Sequence, residues 1–96
     1  MRVRYTLRAQ ADLDAIFAYL DQRSPAAALS VKALIERRIA TLADFPLSAP
    51  ATDEPDVREL TIVRYPYKVY YEVSGQEAWI LHIRHTSRRP WGGIYD

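Results

Sequence analysis

Residues 58–84, RELTIVRYPYKVYYEVSGQEAWILHIR, decide the fold of this 96-residue chain. Apolar and polar side chains alternate there in two runs, at residues 58–64 and 67–73, and residues 78–84 form a third run. Alternation with a period of two is typical of β-strands that have one buried and one wet face. Tyr65-Pro66 separates the first run from the second, and Ser74-Gly75 is a candidate hairpin turn between the second and the third. The stretch therefore predicts a three-stranded antiparallel meander.

Two amphipathic helices are predicted upstream of the meander. Apolar residues recur at three- and four-residue spacing in two stripes, Ala9, Leu13, Ile16, Phe17 and Leu20, then Ala28, Val31, Ile35, Ile39 and Leu42. Thr6 is a candidate N-cap of the first helix, Ser24-Pro25 begins the second, and Phe45-Pro46 ends it. The short connection predicts an antiparallel helical hairpin.

The order of elements predicts an α+β fold. A short N-terminal strand precedes the helices, because Val3 and Tyr5 alternate with polar neighbours, and residues 47–56 carry prolines and acids without periodicity, as surface loops do. A strand, a helical hairpin and a meander favour helices packed on one face of an antiparallel sheet. We expect residues 1–96 to form a single domain, since this length supports only one.

Composition excludes several functional classes. Hydrophobic residues make up 49% and charged residues 26% of the chain, which is typical of folded domains. The chain has no cysteine, no metal-site spacing and no glycine-rich phosphate loop, so no cofactor and no metal are expected. It also has no signal-peptide pattern and no apolar run of about 18 residues. We therefore expect a cytoplasmic protein with no membrane partner.

Charge is unevenly distributed, although the net charge is only +1. An acidic loop holds Asp53, Glu54 and Asp56, whereas residues 78–95 contain no acid. That segment carries the basic and titratable residues His82, Arg84, His85, Arg88 and Arg89. A basic C-terminal face attracts a polyanion or an acidic protein surface.

Cationic side chains of the meander suggest an anion-binding patch. Arg58, Arg64 and Lys68 lie on adjacent predicted strands and can converge with Arg88 and Arg89, as phosphate recognition requires. Alternatively, these arginines pair with acids on a solvated face, at Glu59, Glu72 and Glu77.

Histidines and aromatic residues admit a structural and a functional interpretation. His85 ends the last strand and is either a general base or a partly exposed strand-end residue. His82 is expected to be structural and to share the face of Ile80. Tyr67, Tyr71 and Trp79 are expected to fill the core, whereas Tyr70, on the opposite strand face, is the freer candidate for base stacking.

The chain resembles the RelE/ParE toxin superfamily over nearly its whole length, and is closer to the ParE branch. The stretches that carry the resemblance are residues 11–16 (ADLDAI), 45–46 (FP), 57–60 (VREL), 67–73 (YKVYYEV) and 80–85 (ILHIRH), the last running into Arg88-Arg89-Pro90. The resemblance implies the toxin of a type II toxin–antitoxin pair, neutralised by an antitoxin encoded beside it. The antitoxin's C-terminal segment is expected to fold on the toxin surface, giving a toxin–antitoxin hetero-oligomer.

The superfamily has two branches on one fold, so the site must decide the target. RelE-like members cleave messenger RNA on the ribosome with lysines, arginines and a C-terminal tyrosine. Two lysine positions of that pattern hold Glu59 and Thr61 here, which counts against ribonuclease activity. Lys68 falls on an arginine position, and the separation of Arg89 and Tyr95 does match. A ribonuclease would therefore use His85, Arg89, Tyr95 and Lys68.

ParE-like members poison DNA gyrase by binding it, and the resemblance of residues 58–85 with Arg88-Arg89-Pro90-Trp91 favours this branch. Gyrase is then the expected target, with the ribosome and messenger RNA as the alternative. The residues expected to bind the target are Arg58, Arg64, Lys68, Arg84, His85, Arg88, Arg89 and Trp91.

Overall fold

The computed structural model of the protein describes residues 1–86. The elements follow in the order β1 (Arg2–Tyr5), α1 (Leu7–Asp21), α2 (Pro25–Ala40), a 3-10 turn (Thr41–Ala43), β2 (Val57–Ile62), β3 (Tyr67–Ser74) and β4 (Glu77–His85). This order confirms the predicted α+β fold with a helical hairpin followed by a meander.

The helices begin where their capping residues predict. The Thr6 hydroxyl accepts a hydrogen bond from the Ala9 amide at 3.1 Å, and Ser24 accepts one from Ala27 at 3.2 Å. Pro25 occupies the first turn of α2. The predicted end of α2 was wrong, because the α-helix ends at Ala40 and the chain tightens into the 3-10 turn before Phe45-Pro46.

The sheet has the strand order β1-β4-β3-β2. β2, β3 and β4 form the antiparallel meander, and Gly75, with φ +59°, lies in the turn between the last two strands. β1 joins the sheet parallel to β4 as far as Ile80. The pairing of β1 is thus the one parallel contact among the strands of residues 1–86.

A β-bulge in β4 changes which residues share a face. Tyr70 lies opposite His82, but Tyr71 lies opposite Ile80, so Leu81 is the extra residue. Ile80 and Ile83 both belong to the core, whereas His82 shares the face of Tyr70. The expectation that His82 shares the face of Ile80 was therefore wrong, because the bulge reverses the alternation.

The core lies between the helical hairpin and one face of the sheet. The second apolar stripe is fully buried, and its central residue Ile35 is 0% exposed. Side chains from both helices pack with β2, β3 and β4, among them Leu13, Ile39, Leu60, Val69, Tyr71 and Ile80. Burial of each large aliphatic side chain contributes about 1.5–3 kcal/mol. No helix within residues 1–86 is long and apolar enough to cross a membrane.

Candidate functional site

The sheet face opposite the helices carries a polar cluster. Along β3, Val69 and Tyr71 point into the core, so Lys68 and Tyr70 lie on the other face. Their register partners bring the remaining members beside them from β2 and β4. We call this set the open-face cluster, and it consists of Glu59, Lys68, Tyr70, His82 and Arg84.

Hydrogen bonds connect the open-face cluster. Nε of Arg84 donates to the Tyr70 hydroxyl at 3.2 Å, and that hydroxyl donates to Oε1 of Glu59 at 2.9 Å. Nζ of Lys68 lies 3.3 Å from the same carboxylate oxygen. Burial raises the pKa of Tyr70, and the hydrogen bond from Arg84 offsets only part of this increase. Tyr70 therefore remains a neutral donor at neutral pH.

Two aromatic residues differ from the sequence prediction. Tyr70 was expected to be the freer candidate for base stacking, but it is 3% exposed, with its ring stacked on His82 and its hydroxyl held between Arg84 and Glu59. Trp79 was expected in the core, but it is only half-buried and outside the core cluster, with the Arg4 guanidinium 5.7 Å from its ring centroid. The core positions of Tyr67 and Tyr71 are confirmed.

His82 is held by a carboxylate of the first helix. Its Nδ1 lies 2.6 Å from Oδ2 of Asp12, and the backbone N–H of Ile83 donates to the same oxygen at 3.0 Å. This contact ties β4 to α1, and a structural role for His82 stays a prediction. Asp12 was missed as a partner, since nothing local in the sequence distinguishes it from other acids on the polar face of α1.

His85 lies apart from the open-face cluster. It is the register partner of Tyr67, and the two rings meet edge to face with centroids 5.3 Å apart. Tyr67 belongs to the core, so His85 extends from the helix side of the sheet, while Lys68 occupies the opposite side. The described residues thus do not bring Lys68 and His85 together as a ribonuclease pair.

Of the two arrangements considered for Arg58, Arg64 and Lys68, the described residues do not form a shared cationic patch. Arg58 lies on the core side of β2, and its Nη1 donates to the carbonyls of Ala49 at 2.7 Å and Leu47 at 3.4 Å. Arg64 follows the end of β2, with its guanidinium 5.8 Å from the Tyr65 ring centroid. Lys68 and Arg84 are register partners and do adjoin. Arg88, Arg89, Trp91 and Tyr95 lie outside the described residues.

A groove separates α2 from the turn that follows β2. It encloses about 400 Å³ and is lined by Leu29, Ser30, Ala33, Leu34, Arg37, Arg64 and Tyr65. Two of these residues are cationic and none is acidic. Leu29 is 63% exposed, and Val63, in the adjacent turn, is 88% exposed. The groove can therefore accept apolar side chains that are accompanied by negative charge.

The described residues offer no alternative site for a metal. Among residues 1–86, no group of three or more His, Asp or Glu side chains lies close enough to hold an ion.

Comparison with known proteins identifies the family to which a chain with this fold belongs. Residues 3–90 match the family described as ParE toxin of type II toxin–antitoxin system, parDE. Toxin RelE2 of Caulobacter vibrioides is 38% identical over 90 residues, covering 91% of this chain and 97% of its own. Y4kP of Sinorhizobium fredii, assigned as a toxin, is 35% identical over 88 residues, covering 92% of this chain and 91% of its own.

A solved structure agrees with these matches. The chain superimposes with a TM-score of 0.82 and 30% identity on a chain of the chromosomal ParDE toxin–antitoxin system from P. aeruginosa, covering 91% of this chain and 97% of that one. The chain belongs to the ParE toxin family of type II toxin–antitoxin systems.

Proposed function

We propose that this toxin arrests growth by binding and poisoning DNA gyrase, and that a cognate antitoxin neutralises it. The observation that carries the choice of target is the ion pair of Lys68 with Glu59 on the open face, at 3.3 Å. Cleavage of RNA needs cations that face the scissile phosphate and groups that transfer protons. Here the Glu59 carboxylate neutralises the charge of Lys68.

The proton-transfer groups also support a binding function. The pKa of Tyr70 is raised by burial, which keeps it protonated, and His85 contacts Tyr67 on the other side of the sheet. Binding a protein requires neither group to exchange a proton. The basic C-terminal segment with Arg88, Arg89 and Trp91 then supplies charge and an aromatic side chain, which are enriched at interface hot spots.

Ribonuclease activity is the second candidate. It is favoured by the likeness to a relative named RelE2 and by the matching separation of Arg89 and Tyr95. Under this alternative, Lys68 would have to exchange Glu59 for the RNA phosphate.

An antitoxin partner is supported by the uncovered apolar surface. Leu29, Val63, Phe45 and Leu47 are each more than 60% exposed, and the groove beside α2 carries Arg37 and Arg64. A disordered segment that folds on binding can cover about 1,000–3,000 Å². Apolar residues with neighbouring acids fit this surface, and the similar ParDE structure is that of a toxin–antitoxin system.

Growth and gyrase assays test the proposal. Expression of the chain alone should arrest bacterial growth and produce filaments with a DNA-damage response, and co-expression of the adjacent small gene should restore growth. The purified chain should inhibit supercoiling by gyrase. Soluble, folded chain that leaves growth unaffected would exclude a toxin, and cleavage of messenger RNA with gyrase unaffected would favour the second candidate.

A further inference from the structure

Two donors of the open-face cluster are directed at the same carboxylate oxygen. The Tyr70 hydroxyl donates to Oε1 of Glu59 at 2.9 Å, and Nζ of Lys68 lies 3.3 Å from the same atom. Arg84 reinforces this arrangement, because its Nε donates to the Tyr70 hydroxyl at 3.2 Å. Two donors from β3 are thus directed at a single anionic oxygen supplied by β2, and a donor from β4 holds one of them in place.

This arrangement is an anion site whose anion belongs to the chain itself. An ammonium and a hydroxyl that donate to one oxygen can hold a phosphate oxygen equally well. The side chains of Lys68 and Glu59 are 30% and 26% exposed, so solutes reach the pair. Glu59 is the register partner of Tyr70 and lies outside the core cluster, so its side chain can turn towards solvent.

We propose that Glu59 is the built-in counter-ion of an anion site formed by Lys68 and Tyr70, and that the ligand this site takes when Glu59 is neutralised is a backbone phosphate of single-stranded nucleic acid. With Glu59 ionised, its charge repels phosphates and its oxygen occupies their donors. Glu59 is thereby a specificity-determining residue that keeps nucleic acid off the open face. This role rests on the proposed binding function, because a ribonuclease would need the RNA phosphate in the place that Glu59 occupies beside Lys68.

Substitution of Glu59 by Gln removes the negative charge and keeps nearly the same side-chain shape. The Gln side chain can still accept the Tyr70 hydroxyl bond, but it no longer neutralises Lys68. The probe is a short oligothymidylate, which lacks the 2′-hydroxyls that RNA cleavage uses. Its affinity for the full chain is measured by fluorescence anisotropy over a range of salt concentrations.

Glu59→Gln should bind the probe more tightly than the parent chain. The plot of log affinity against log salt should become steeper by about 0.7, the value of one additional phosphate contact on a single strand. Over a fourfold rise in salt, the variant should therefore lose about 2.6-fold more affinity than the parent chain.

Glu72→Gln is the matched control, because it removes the same charge from the same face of the sheet. Glu72 lies opposite Val57 and Trp79, away from Lys68, so its salt slope should equal that of the parent. Combining Glu59→Gln with Lys68→Met should also restore the parent slope. Glu59→Ser gives the same prediction if the Gln variant is unstable by circular dichroism. An unchanged slope in folded Glu59 variants, or a gain that persists without Lys68, overturns the proposal.

Discussion

The imidazole Nδ1 of His82 lies 2.6 Å from Oδ2 of Asp12, which joins the end of β4 to α1 across 70 positions of sequence. The same carboxylate oxygen accepts the N–H of Ile83 at 3.0 Å. β1 pairs with β4 only as far as Ile80, so no strand within residues 1–86 adjoins β4 on that side beyond this point. Asp12 therefore provides the acceptor that a longer β1 would have supplied.

Removal of the Asp12 carboxylate should destabilise the fold. Asp12→Ala leaves the Ile83 N–H and His82 without this acceptor, and loss of a partly buried acceptor costs about 1–3 kcal/mol. Asp12→Asn should lose less, since its amide oxygen can still accept one bond. Denaturation in urea measures the free energy of unfolding. Asp14→Ala, on the exposed side of α1, is the control and should stay within about 0.5 kcal/mol. Equal stability of the two alanine variants would contradict this role.

A charge in the groove beside α2 should weaken neutralisation by the antitoxin. Leu29→Asp places a carboxylate in the apolar lining of the groove, and we expect a loss of about 1.4 kcal/mol or more, or at least about tenfold in affinity. Titration calorimetry with the adjacent gene's product measures this loss, and growth under co-expression reports neutralisation. Ala15→Asp, at an exposed position of α1, should bind as the parent does. Full neutralisation of a folded Leu29→Asp chain would place the antitoxin elsewhere.

Mutations at the C-terminal end of the chain can test separately whether toxicity depends on positive charge or on proton transfer. If the toxin binds gyrase, Arg88→Ala with Arg89→Ala should abolish toxicity, because each interface arginine can contribute about 2 kcal/mol or more. His85→Gln with Tyr95→Phe should leave toxicity largely intact, since a binding function needs no acid–base group. Growth curves and messenger RNA integrity are the measurements. A folded His85→Gln, Tyr95→Phe chain that no longer arrests growth, when the parent cuts messenger RNA, would favour the ribonuclease.

Stability should decline in alkali partly through Tyr5. Burial, and then the negative charge of Glu36, raise the pKa of Tyr5 to about 12, whereas the unfolded chain ionises near its ordinary value of 10. The contribution is complete below pH 10 and is lost as the pH rises towards 12, at no more than about 1.4 kcal/mol per pH unit.

Tyr5→Phe should therefore reduce the alkaline decline without abolishing it, because the pKa values of Tyr70 and Tyr71 are also raised by burial. Urea denaturation at several alkaline pH values provides the comparison with the parent chain. An identical decline in both proteins would show that Tyr5 ionises alike in the folded and unfolded states.

The sequence by itself determined the elements and most of the core. N-caps at Thr6 and Ser24, the apolar stripe through Ile35 and the turn at Gly75 depend on residues only a few positions apart, so their patterns are legible in the chain. The basic character of the C-terminal segment was equally legible, because charge is a property of composition.

Only the tertiary structure decided which side chains meet. Because of the bulge at Leu81, His82 lies on the face of Tyr70, and strand pairing places Glu59 beside Lys68. Arg58 bonds to the Ala49 carbonyl instead of joining a patch. Alternation is the same for every strand order and register, and a single inserted residue reverses it, so contacts between distant positions are fixed only when the sheet and helices pack together.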